Sequence, residues 1–356
     1  MHVFSTLFPV LGFSAQLATA AYTLRDDYGP SFFDKFTFFT APDPTNGFVK
    51  YVDRQTAQNS GLISTDGSIR MGVDSTNVAP GGRQSVRITS NQAYDRGLFI
   101  LDLDHMPGGI CGTWPAFWLV GPNWPNNGEV DIIEGVNDQS KNKMALHTSD
   151  GCKIDNTGFS GSLTTSNCFI SAPGQDANAG CGIEAPSPQS YGTGFNGNGG
   201  GVFATEITGS AISIWFFPHG RVPGDIGSGN PNPSSWGTPD GRFAGACDIN
   251  AHFKGLQIVF DTTFCGDWAG GVWGSSGCAS KAGSCQDFVA NNPSAFTDAF
   301  WKINSLKVYQ SNNAANVLQQ TSPGSVHIPS STPSSTPTTT TSYVKRHHQG
   351  RHAHIM

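Results

Sequence analysis

Trp124-Pro-Asn-Asn-Gly-Glu129-Val-Asp131-Ile-Ile-Glu134-Gly135 alternates acid with aliphatic as a half-buried strand does, until a second isoleucine breaks the period. On a regular strand Glu129 and Asp131 share one face and Glu134 falls on the other. A bulge at Ile132-Ile133 adds one residue, restores the parity and aligns all three acids. Four effective strand steps from Glu129 to Glu134 span roughly 13 Å, and each side chain reaches back about 4 Å. The two carboxyl groups are then expected about 5 to 6 Å apart, the spacing of a pair that works by double displacement. Three acids on one face cannot all ionise cheaply, so the crowding keeps one glutamate protonated near neutral pH, with Asp131 tuning its neighbours.

Alternation recurs outward from this segment in Gln84–Ser90, Gly97–Asp104 and Ala211–Phe216, each bounded by Gly, Asn or Pro clusters. With 44 glycines, 22 prolines and only 13% charged residues, the chain reads as many short strands joined by turns. An antiparallel all-β sandwich is the expected class. The last strand is expected over Lys302–Gln310, preceded by a short helix around Asp287 to Phe300 that Pro293 interrupts or restarts.

Taken alone, Glu-x-Asp-x-x-Glu also fits an exposed acidic strand or a Ca²⁺ site. Its setting favours another use: Ile132 and Ile133 belong to a buried strand, and Trp114, Trp118 and Trp124 lie just upstream. Acids beside aromatic faces suit a sugar cleft. The formal net charge of −6 disfavours nucleic acid and is compatible with a neutral polymer as ligand.

Met1–Ala20 carries an apolar run and the small-x-small pattern Ala18-Thr-Ala20, the form of a signal peptide, although His2 stands where Lys or Arg is usual. Eight cysteines follow it, an even count that suggests four disulfides; the sequence leaves the pairing open, with Cys278 and Cys285 close enough to clip one loop. Residues 21–310 read as one domain. Residues 311–356 form a polar tail with a Ser/Thr/Pro tract and a His-rich basic end, expected to be disordered. Secretion into the extracellular space follows, with cell-wall association left open. No membrane anchor is expected and the protein is expected to be a monomer.

Gly128-Glu-Val-Asp-Ile-Ile-Glu-Gly135 resembles the signature of glycoside hydrolase family sixteen in its bulged, laminarinase-type form. Cys111–Trp118, Ala145–Thr148, Tyr191–Gly201, Phe264–Gly270 and Asn291–Phe296 are similar to basidiomycete-type laminarinases, so the likeness covers about residues 21–310. The resemblance implies a β-jelly roll of two curved antiparallel sheets with an open cleft. It implies Glu129 as nucleophile, Glu134 as general acid/base, and an endo-acting β-1,3(4)-glucanase that needs no cofactor or metal and retains the anomer. It also implies that Trp118, Trp124 and Trp268 line glucosyl subsites while His147 and Arg87 supply polar contacts. A glucan transglycosylase of the same fold and a non-catalytic glucan-binding sandwich are the alternatives.

Overall fold

A computed structural model describes residues 22–311. The expected signal peptide lies outside these residues, as does the expected tail except Ser311, which closes the strand Phe300–Ser311. No helix among the described residues is long and apolar enough to cross a membrane.

Two antiparallel eight-stranded sheets form the sandwich, accompanied by a short parallel pair, Val49–Tyr51 with Arg83–Ser85. One runs Ser162–Thr165, Cys181–Glu184, Lys143–His147, Glu129–Glu134, Thr113–Val120, Leu256–Phe264, Arg87–Tyr94, Phe36–Phe38 from edge to edge. The other runs Gly241–Phe243, Ile212–Pro218, Gly201–Ile207, Gly97–His105, Phe300–Ser311, Ile69–Gly72, Ile63–Ser64, with Tyr22–Asp27 also paired to Phe300–Ser311. This is the antiparallel sandwich expected from the alternating strands, in the jelly-roll form that the resemblance implies. Phe117, Leu119, Val130, Leu146, Ile258 and Phe260 of the first sheet meet Leu101, Leu103, Phe203, Trp301 and Ile303 of the second in one core. Each large aliphatic so buried contributes about 1.5 to 3 kcal/mol.

The bulge is where the double isoleucine put it. Along the neighbouring strand Thr113–Val120, Asp131 pairs with Trp118 but Ile133 pairs with Phe117, so Ile132 is the extra residue. Both isoleucines are fully buried in the core. An unbulged register would turn one isoleucine out and drive Glu134 into the core, where an unpaired carboxylate costs several kcal/mol. That difference outweighs the one ladder position the bulge gives up.

Near the C-terminus the helix covers Cys285–Asn291, capped by Ser284, and Pro293 opens a separate 3₁₀ turn, Pro293–Phe296. Proline is tolerated there because the first N–H of a helix has no intrahelical partner. The disulfides are Cys111–Cys278, Cys152–Cys247, Cys168–Cys181 and Cys265–Cys285. The expected clip between Cys278 and Cys285 is therefore wrong. The turn Gly277–Ser280 and the helix starting at Cys285 deliver the two sulfurs to different strands, near the start of Thr113–Val120 and the end of Leu256–Phe264.

Candidate active site

Cross-strand partners share a face, so the registers define what stands on the outer side of the first sheet. One row reads Arg87, Asp261, Ala116, Glu134; the next reads Thr89, Val259, Trp118, Asp131, Ala145; a third pairs Glu129 with His147. Glu129, Asp131 and Glu134 thus stand together, as the bulged reading expects. Ala116 separates Glu134 from Asp261 in the first of these rows.

His147 faces the acids. Its Nε2 lies 3.3 Å from Asp131 Oδ2 and 3.9 Å from Glu129 Oε1, while its Nδ1 is 3.1 Å from Asn178 Oδ1. With Nδ1–H donated to Asn178, Nε2 is the ring nitrogen turned toward the carboxyl groups. Asp131 Oδ2 is buried and makes no hydrogen bond, so a proton held between Asp131, Glu129 and His147 would satisfy it. One donor atom each from Glu129, Asp131 and His147 lie within 4.8 Å of one another, which makes these the residues among those described that could also converge on a cation.

Burial first, and then the charge of Asp131, push Glu129 and Glu134 up to about 8. Asp131 rises to about 8 through burial, against the opposing pull of Lys143. The three form one coupled group that holds protons well above the usual carboxylate range. Trp114 Nε1 donates to Glu134 Oε1 at 2.8 Å and draws that carboxyl back down.

Around the acids, Trp118 Nε1 donates to Asp261 Oδ1 at 2.7 Å, and Tyr51 OH donates to Asp261 Oδ2 at 3.1 Å. Arg87 sits with its guanidinium over the rings of Phe39 and Trp118, 4.6 and 5.0 Å from their centroids. It therefore covers a face of Trp118, and its charge draws down the carboxyl of its cross-strand neighbour Asp261 against the larger effect of burial. Trp268 meets Trp114 edge-on at 5.5 Å and lies beneath Lys143 Nζ, 4.8 Å from its ring. Trp124 is 41% exposed in the turn between the strands Thr113–Val120 and Glu129–Glu134, with a cis bond to Pro125. That turn closes through Gly121 N to Gly128 O, and Gly128 has φ +75° with no room for a Cβ beside Phe253.

Trp114 appeared in the sequence only as one of several aromatics; Asp261 and Lys143 were missed outright. A lone acid in the otherwise apolar Leu256–Phe264 is the signal that could have found Asp261. Lys143 offers no such signal, because its relation to Trp268 is tertiary.

A sandwich that gathers crowded, proton-holding acids on one sheet face, with partly exposed indoles on and around it, fits a glycoside hydrolase. The family described as "XgeA-like, catalytic GH16 domain" matches residues 36–309. An endo-1,3(4)-beta-glucanase from Arthroderma benhamiae is 49% identical over 312 residues, which are 86% of this chain and 68% of that protein. Across the curated relatives compared, the chain spans between 41% and 69% of their lengths. Among solved structures, laminarinase 16A from Phanerochaete chrysosporium, with 6-O-glucosyl-laminaritriose in donor and acceptor sites, is 46% identical with a TM-score of 0.77. It covers 82% of this chain and 100% of its own. An elongating family 16 β-1,3-glucosyltransferase is 48% identical with a TM-score of 0.75, covering 81% and 100%. The chain belongs to glycoside hydrolase family 16, in its laminarinase type.

Proposed function

We propose that the protein is a secreted endo-β-1,3(4)-glucanase that cleaves β-glucan with retention, using Glu129 as nucleophile and Glu134 as general acid/base. The bulge at Ile132 carries this reading, because it brings both glutamates to one sheet face beside Asp131. Glu134, protonated, gives its proton to the glycosidic oxygen while the Glu129 carboxylate attacks the anomeric carbon. The bond to the leaving glucan breaks and a glycosyl ester forms. Glu134, now ionised, takes a proton from water; the resulting oxygen attacks the same carbon and frees Glu129. Two inversions leave the anomer unchanged.

Asp131 and His147 stand beside Glu129 where a proton leaving it can go, and the raised range of all three acids supports a site that holds protons near neutral pH. Trp118, Trp124 and Trp268 serve as faces for glucosyl rings, and Arg87 fixes the plane of Trp118. Residues 21–310 act as one catalytic domain. Four disulfides and the fungal relatives support an extracellular setting.

Reducing-sugar release from laminarin, lichenan, cellulose and chitin tests the reading, with Glu129→Gln and Glu134→Gln alongside. Activity on laminarin that both substitutions abolish is expected; turnover that survives Glu129→Gln refutes the mechanism. The likeness to a glucosyltransferase supports a second reading, in which a sugar hydroxyl replaces water in the second step. Products longer than the substrate, formed when laminari-oligosaccharides are added as acceptors, would favour it.

A further inference from the structure

The strand Glu129–Glu134 is paired to Thr113–Val120 through Glu134, but to Lys143–His147 only from Glu129 to Asp131. On that second side the ladder stops at the bulge, where the carbonyl of Ile132 and the N–H of Glu134 need other partners. Both find them in one side chain. Asn142, fully buried just before the strand Lys143–His147, donates from Nδ2 to Ile132 O at 2.7 Å and accepts from Glu134 N at Oδ1 at 2.9 Å. Its amide spans the bulge and replaces the ladder there.

Asn142 is itself held on both backbone groups. Its N–H donates to Ser190 Oγ at 3.2 Å, its carbonyl accepts from Ala185 N at 2.8 Å, and Ser190 Oγ in turn donates to Ser187 O at 2.6 Å. The residue after Glu134 is fixed as well. A Cβ on Gly135 would stand 2.7 Å from Tyr191 Cζ, so only glycine lets that ring pack against the backbone. The peptide that carries Glu134 is thereby constrained by groups from outside its own sheet ladder.

We propose that Asn142 is a positioning residue for Glu134: it sets the height and direction of the general acid/base relative to Glu129. This rests on the assignment of Glu134 given above. A shift of about 1 Å in a reacting group costs on the order of 100-fold in rate, so loosening this clamp reaches the chemistry directly. A buried asparagine with a purely architectural role would lower stability and dull every reaction equally.

The leaving group separates the two. Expulsion of a glucan alcohol needs a proton from Glu134, whereas 2,4-dinitrophenolate leaves with little help. We would measure kcat/KM, which reports on steps up to the glycosyl-enzyme, for laminarin and for a 2,4-dinitrophenyl β-laminari-oligosaccharide. The Asn142→Ala protein is expected to lose about 30-fold on laminarin and less than about 5-fold on the dinitrophenyl substrate. Ser190→Ala, which keeps the side-chain clamp and frees only its anchor, is expected to lose about 3-fold on laminarin and nothing on the dinitrophenyl substrate, and it decides the matter if Asn142→Ala does not fold. Equal losses on both substrates, or none on either, would overturn the proposal. An unmodified protein that turns over neither substrate would instead remove the proposed function itself.

Discussion

Replacing Asp131 by asparagine removes one acid from the coupled group and almost nothing else, since the residue is 3% exposed and the two side chains are isosteric. Donor atoms of Glu129 and Asp131 lie within 4.8 Å of each other. At an effective dielectric constant of about 20, two full charges at that distance repel by about 3.5 kcal/mol, or about 2.5 pKa units. The pair therefore avoids double ionisation, and the neighbour's charge is the largest Coulombic push on both Glu129 and Glu134. Asp131→Asn is expected to move both limbs of the kcat/KM against pH profile of laminarin hydrolysis downward by about 1 unit. Stability changes as well, and the sign follows from linkage. An acid whose pKa is raised by folding costs nothing below its unfolded value near 4, and costs progressively more as pH rises toward its folded value of about 8. The variant should thus match the parent in Tm at pH 4 and exceed it at pH 8, where shared titration leaves a gain of about 2 kcal/mol, or about 4 °C. Calorimetry at both pH values and the rate profile are the assays. An unmoved profile, or a Tm gain no larger at pH 8 than at pH 4, would refute the crowding argument.

Trp114→Phe deletes the hydrogen bond that draws Glu134 down, so the alkaline limb of the same profile should rise while the acid limb stays, opposite in sign to Asp131→Asn. Deleting Ile132 removes the bulge and turns Glu134 toward the core. Hydrolysis is expected to vanish and urea denaturation to register a loss of about 3 kcal/mol or more, while retained activity would remove the bulge from the account. Replacing Cys265 and Cys285 together by serine opens a loop of 20 residues and should cost about 3 kcal/mol by the same assay. Because that loop carries Trp268, KM should rise more than kcat falls.

The catalytic strand was legible because its own sequence contains the defect: a second isoleucine in an alternating run allows one physical solution that buries both and keeps the acids together. Strands with one polar and one apolar face announced themselves by the same period, as the first half of Arg87–Tyr94 did, whereas Gly97–His105 buries Phe99 and Leu101 on one face and Leu98 and Ile100 on the other. What stayed hidden depends on pairing between distant segments. Asp261 becomes part of the site only because Leu256–Phe264 lies beside Thr113–Val120, and Asn142 matters only because the ladder on that side ends at Asp131. The disulfides failed for the same reason, since nearness in the chain between Cys278 and Cys285 says nothing about which strand end each sulfur meets.

The claim on which the rest depends is that Glu129 and Glu134 act by double displacement, and the configuration of the first-formed reducing end tests it most directly. Proton NMR of laminarin hydrolysis in the first minutes, before mutarotation, is expected to show the β-anomer appearing first and the α-anomer growing in later. An initial α-anomer would mean a single displacement by water and would contradict the account at its centre.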